Sequence, residues 1–270
     1  MNRRNFLTGL TLMPAMSLLS LLSLSAYADE SDLSVGIYPG TGTADLPLDE
    51  LRAALVPFTQ ALAGAMGLEP KLTMFRTIKN TTRSLEKGRL DLYFVPPTVA
   101  VDVLDNGYSA IARVKDPITG ALVRRKGATV TTVAMAEKES WPDVMGRFVL
   151  KRNKHEAEFI NLKTQEDVVL AMEKGYAQAG ALGTKFAKEL VAKGEYEIWY
   201  PLPATPGFSL MASDRLTDSE KDRLAAAAVS LNPQIIQNMQ KVFVSKLVSF
   251  VNDKQADYKM LREAVRSAGY

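Results

Sequence analysis

The chain has 270 residues, no cysteine and a formal net charge of +3. Arg3 and Arg4 belong to a leader, so the rest is near neutral; that excludes a bulk nucleic-acid footprint, and the absent thiols exclude disulfides, thiol catalysis and cysteine metal sites. The length suffices for one large domain or two lobes with an ample core.

Asn2-Arg3-Arg4-Asn5-Phe6-Leu7, an apolar stretch from Leu10 to Leu24, and Ala26-Tyr27-Ala28 before Asp29-Glu30 predict an export signal over residues 1–28, cleaved near Ala28. The arginine pair ahead of Phe6-Leu7 resembles a twin-arginine signal, which marks export after folding; an ordinary Sec leader is the alternative. No cysteine follows the apolar stretch, which excludes a lipoprotein anchor. No other stretch is long and apolar enough to span a bilayer. The part after the leader is therefore expected in the periplasm, without stable membrane insertion.

Leu33 to Tyr38 reads as a first strand, followed by the loop Pro39-Gly40-Thr41-Gly42-Thr43, whose hydroxyls and backbone N–H groups can face a ligand. Leu51, Ala54, Leu55, Phe58, Leu62 and Met66 form one helical face over 48–66, with a kink or restart expected at Pro57 and a stop at Gly67. Leu72 to Thr98 reads as strand, helix, strand, the helix marked by Ile78, Thr82 and Leu85 and ended by Gly88. Such a crossover gathers ligands beyond the carboxyl ends of its strands, here at Arg76-Thr77-Ile78-Lys79 and Pro96-Pro97-Thr98. A helix from Thr98 to Asn106 and a strand from Ser109 to Val114 complete an alternating β-α pattern, which predicts a parallel sheet with helices on both faces.

Asp116 to Gly120 reads as a turn and Ala128 to Ala136 as a β-branched strand. Ser140 is expected to cap a short helix, Gly146 to Leu150 to form a strand, Lys151 to His155 a basic loop, and Ala157 to Leu162 a further strand. Thr164 caps a helix to Lys174, with acids in its first turn. Strands over 177–182 and 195–200 flank a helix opened by Gly183-Thr184. Pro201, Pro203, Pro206 and Gly207 mark a change of direction. Phe208 to Ala212 is expected to pair antiparallel with 128–136, and the remainder to be helical: a capping box at Thr217–Glu220, a helix from Pro233 to about Phe250, and a last one from Asp253 to Ser267.

In that order the chain resembles the phosphate, phosphite and phosphonate substrate-binding proteins of ABC transporters. The likeness rests on LVPFTQALAGAMG, SLEKGRLDLYFVPPT, GYSAIARVKDPITG, TVTTVAMAEKESWPDVMG, TQEDVVLAMEKGYAQAGAL and PGFSLMASDRLTDSEKDRLAAA. It implies an α/β, two-lobed type II periplasmic-binding-protein fold. Each lobe would be a mainly parallel sheet flanked by helices, with lobe 1 at 29–118 and 215–270 and lobe 2 at 119–214. Relatives place a Ser/Thr-rich loop and a long helix after the strand aligned with Arg147–Leu150. Here Lys151–His155 stands in that place and the helix is missing. Pro96-Pro97-Thr98 replaces small residues ahead of a Ser or Tyr, and Pro97 supplies no N–H.

The resemblance implies a small oxyanion, phosphate-, phosphite- or phosphonate-like, closed between the lobes and delivered to an ABC permease. Candidate ligand-binding residues are Tyr38, Thr41, Thr43, Arg76, Thr77, Lys79 and Thr98 in lobe 1, and Lys151, Arg152, Thr164 and Thr184 in lobe 2. Arginine can grip an oxyanion with two parallel bonds and hydroxyls can complete its shell. A ligand-sensing module acting on a membrane sensor protein and an enzyme on the same scaffold are the alternatives. His155 is the single histidine and has no metal-ligand spacing around it, and no catalytic residue, metal or cofactor is called for.

Overall fold

The computed structural model describes residues 32–41, 45–88, 90–243, 245–254 and 256–270; the leader, its cleavage site near Ala28 and the loop residue Thr43 lie outside the described residues. In chain order come β1 (Asp32–Ile37), α1 (Leu48–Met66), β2 (Glu69–Met74), α2 (Ile78–Glu86), β3 (Leu92–Val95), α3 (Pro97–Asp105), β4 (Tyr108–Val114), β5 (Ile118–Arg125), β6 (Thr132–Met135) and α4 (Trp141–Arg152). There follow β7 (Glu158–Asn161), α5 (Gln165–Glu173), β8 (Ala179–Gly183), α6 (Thr184–Ala192), β9 (Tyr196–Thr205), β10 (Ser209–Ser213), α7 (Asp218–Val229), α8 (Pro233–Gln240), β11 (Phe250–Asn252) and α9 (Lys259–Ala268).

Among the described residues these strands build two sheets, ordered β11-β4-β10-β3-β1-β2 and β7-β6-β8-β5-β9. Each has a parallel centre: β1 pairs with β2 and β3, and β6 with β7 and β8. The crossover over 72–98 spans β1, with β2 and β3 on its two sides. The α/β class and two-sheet architecture agree with the alternating pattern. Helix α1 continues through Pro57 and ends on Gly67 at φ 72. Burying Leu55, Phe58 and Leu62 around the proline, at roughly 2 kcal/mol each, outweighs a lost hydrogen bond costing about 3 kcal/mol.

Four expectations are corrected. Gly146 to Leu150 is the middle of α4, not a strand. Nine of the helix's residues are buried, so its apolar positions run together and the 3.6-residue period is hidden. Gly146 lets it approach the sheet: a Cβ there would lie 2.9 Å from the Ala181 Cβ and 3.0 Å from the Met135 thioether. Second, 116–120 is not simply a turn, because β5 begins at Ile118 and pairs with both β8 and β9. Third, β10 pairs antiparallel with β3 and β4 of the first sheet, not with 128–136. Fourth, the C-terminal part is not wholly helical: α8 stops at Gln240, and β11 then pairs with β4. Pro201 and Pro203 lie inside β9, which is tolerated because β9 is an edge strand.

Two short segments, 115–117 and 206–208, connect the sheets. They touch at Gly207, where a Cβ would lie 2.8 Å from the Asp116 carbonyl oxygen and 3.0 Å from that of Val114. Both obstacles are backbone, so Gly207→Ala is expected to lower stability by about 1–3 kcal/mol in urea unfolding. Gly64→Ala, on an exposed turn of α1 with nothing within 4 Å, is expected to be neutral or to add up to about 1 kcal/mol. Equal effects of the two substitutions would refute the close contact at the crossing.

Candidate functional site

A cavity of about 710 Å³ lies at the carboxyl ends of the parallel strands of both sheets. The first sheet contributes Tyr38 to Thr41 after β1, Pro96 and Thr98 after β3, and Ile78 at the start of α2. The second contributes Ser140 to Pro142 at the start of α4, Gln165 at the start of α5, and Gly183 to Phe186 at the start of α6. Val114 at the end of β4 and Asp116, Pro117 and Gly207 of the connecting segments join the lining. Five helix N-termini thus border one space. Their unpaired N–H groups and partial positive charge favour an anion.

Two hydroxyls in this lining are buried and without partners among the described residues. Thr98 is the second residue of α3 and Ser140 precedes α4; each is 4% exposed, and the hydroxyl oxygen of each has no hydrogen-bond partner among the described residues. A buried polar group left unpaired costs about 1–3 kcal/mol, so each of these hydroxyls calls for a partner, a water or a ligand. Ser140 stands at a helix start yet makes no capping bond. Pro97 is the first residue of α3, where the missing N–H has no intrahelical role anyway. The next N–H groups, of Thr98 and Val99, remain as donors.

The surrounding side chains hold this geometry. The Trp141 indole N–H donates to the Thr205 hydroxyl at 2.8 Å, and the ring lies over Gly120, where a Cβ would sit 2.9 Å from it. Gly183 N–H donates to Gln165 Oε1 at 2.6 Å, and the Thr119 and Thr184 hydroxyls are 2.6 Å apart. Gln240 accepts from Leu247 N–H and donates to the Phe243 and Ser245 carbonyls, fixing the segment that carries Ser245 and Lys246 to the cavity.

Of the residues expected from the sequence, Tyr38, Thr41, Thr98 and Thr184 line the cavity. Thr43 lies outside the described residues. The others are placed elsewhere. Arg76 donates to the Leu46 carbonyl at 2.6 Å. The Thr77 hydroxyl caps α2 by accepting from Asn80 N–H, and Thr164 and Asp167 form a capping box on α5. Lys79 lines a separate surface depression beside Glu137 and Glu139. Lys151 and Arg152 form the last turn of α4; Lys151 donates to the Ser267 carbonyl at 3.3 Å and Arg152 stacks over Phe148. A helix of twelve residues is about 18 Å long, so its basic C-terminus is far from the Ser140 end. The helix that seemed to be missing is α4, and Ser140 opens it. Ser140, Trp141, Gln165, Lys185, Phe208 and Lys246 escaped the sequence reading as site residues. For Ser140 the signal was present, a cap residue followed by a proline at the second helical position.

Residues 43–258 match the family described as the phosphonate periplasmic substrate-binding proteins of ABC transporters. No curated protein sequence matches the chain. Similar solved structures include XAC2383 from Xanthomonas citri bound to ATP, with a TM-score of 0.70 at 14% identity over 88% of this chain and 97% of that one. PhnD1 from Prochlorococcus marinus in complex with methylphosphonate gives 0.67 at 14% identity, over 88% and 98%. The aliphatic sulphonate binding protein SsuA from Escherichia coli gives 0.55 at 11%, over 88% and 86%. At these identities the structures establish the fold alone.

Acidic groups crowd one flank of the site. The buried Tyr38 hydroxyl donates to Glu137 Oε2 at 3.3 Å, and burial, then the Glu137 carboxylate, push the phenol well above its ordinary range. Burial also raises Glu137 and Glu139. Asp102, on α3, is pushed up to about 6 by burial first and then by Glu139 and Asp105. A carboxyl raised in the folded state contributes most at low pH, and that contribution is lost as pH rises from about 4 through about 6. Asp102→Asn is therefore expected to raise the melting temperature at pH 8 and to converge on the wild type at pH 3.5. A variant that gains nothing at pH 8 would contradict this account of Asp102.

Proposed function

The chain belongs to the periplasmic phosphonate substrate-binding proteins of ABC transporters, and we propose that it captures an organic oxyanion of the phosphonate type between two lobes and presents it to a membrane permease. The lobes of this reading are built on the two sheets and hinge at 115–117 and 206–208. The leader is proposed to direct export by the twin-arginine route, with cleavage near Ala28. No helix among the described residues is long and apolar enough to cross a membrane.

The observation that carries the proposal is the pair of buried, unpartnered hydroxyls, Thr98 and Ser140, which approach one cavity from opposite sheets at the starts of α3 and α4. An oxyanion accepts from both hydroxyls and from the adjacent helix N–H groups. Each lobe then holds part of the shell, and closure follows from satisfying both halves at once. Charge-assisted bonds contribute roughly 1.5–3 kcal/mol each, and micromolar affinity requires about 8 kcal/mol, so three to five such bonds are enough. Among the described residues lining the cavity there is no arginine.

Thermal shift with phosphate, phosphite, phosphonates and sulfonates tests the reading. A ligand at a hundred times its dissociation constant should add about 2.7 kcal/mol of stability. Ser140→Ala and Thr98→Val are each expected to weaken binding about ten- to a hundredfold, the loss of one charge-assisted bond. Because neither hydroxyl has a partner among the described residues, the unliganded variants should melt no lower than the wild type. Unchanged affinity in both variants would count decisively against the site.

A further inference from the structure

We propose that the oxyanion is carried on a bulky apolar or aromatic organic body and is not a small anion such as phosphate or methylphosphonate. This inference rests on the oxyanion reading of the same cavity. The first ground is size. At about 30 Å³ of liquid volume per water molecule, 710 Å³ holds some twenty waters. That is the range in which pockets enclose most of a drug-sized ligand. A five-atom phosphonate at the starts of α3 and α4 would fill a small part of it and leave the remainder as water against apolar walls.

The second ground is the chemistry of those walls. The lining includes the apolar residues Trp141, Phe186, Phe208, Ile118, Pro117 and Pro39, of which Phe186 is half-buried and Trp141, next to Ser140, is 5% exposed. Trp141 and Phe208 are seated against glycines: a Cβ on Gly120 would lie 2.9 Å from the indole, and one on Gly40 would lie 3.3 Å from the Phe208 ring. The aromatic surface is thus pre-formed. The charged lining residues among those described are Asp116, Lys185 and Lys246, and both lysines are exposed. A lining that combines two buried hydroxyls with apolar and aromatic side chains suits a ligand with an anionic head and an apolar body.

The third ground is that the two sides already touch. Tyr38 bonds Glu137 across the cavity's flank, and Lys163 pairs with Asp45 at 2.6 Å. The loops of the two sheets are therefore bridged at the cavity's flank.

Calorimetric titration of the purified protein with methyl-, phenyl- and naphthylmethyl-phosphonate, and with the matching sulfonates, decides the question. Each step of added apolar area is expected to tighten binding at least about tenfold in one of the two head-group series. Phe186→Ala, at a half-buried lining position, should reduce that gain, weakening the aryl members more than methylphosphonate. Equal or weaker binding of the aryl members, with the small anions still bound through Thr98 and Ser140, overturns the size inference and leaves the oxyanion reading standing. Naphthalenemethanol serves as the neutral control. If it binds as tightly as the aryl anions, or if no probe binds, the oxyanion reading falls and this inference with it.

Discussion

The architecture depends on one strand placement. The strand β10 lies antiparallel between β3 and β4, with all five of its residues buried. The chain must leave the first sheet after β4, build the whole second sheet, and return to fill the gap it left. Both connections are therefore short and adjacent, and they meet at Gly207 in backbone contact. The carboxyl ends of β1 and β3 and those of β6, β7 and β8 then open on the same space. The cavity follows from this return, since neither sheet alone encloses it.

Helix α4 is the element that joins the two parts. It packs against α3 and α9 as well as against the second sheet, and Phe148, Val149, Val99, Val103, Leu261 and Ala264 share one core. Its buried Asp143 accepts from Arg147, Asn161, Tyr270 and the Glu139 N–H, so a charge with no solvent exposure is fully hydrogen-bonded. Burial, and then this carboxylate, push the Tyr270 phenol up to about 12. The bond from Tyr270 ties the end of the chain to the first turn of the helix that Ser140 opens. The Ser140 end of α4 is thus tied through Asp143 to the segment after α9.

The candidate site contains little formal charge in its interior. Helix starts and hydroxyls line it, and the nearby arginines are engaged in holding the fold: Arg147 with Asp143, Arg113 with Asp253. Fixed dipoles in a low-dielectric pocket can hold an anion without the desolvation cost of burying a guanidinium. Acidic groups at Glu137, Glu139 and Asp102 stand outside the hydroxyl pair, and their raised pKa values follow first from burial.

The sequence alone determined what is local. The alternation of strands and helices, the cap at Thr164, the capping box at Thr217 and the stop at Gly67 all depend on residues a few positions apart. Family motifs spread along the chain were legible for the same reason. Tertiary structure decided the rest. It decided that Gly146–Leu150 is helix, because a helix buried on nearly every side shows no polar stripe, and that β10 pairs with β3 and β4, because pairing partners more than ninety residues apart leave no local signal. It also separated Thr98 and Ser140, which face a shared cavity, from Arg76, Lys79, Lys151 and Arg152, which do not. A side chain's charge can be read from its residue type, but the direction it faces is set by which elements pack around it.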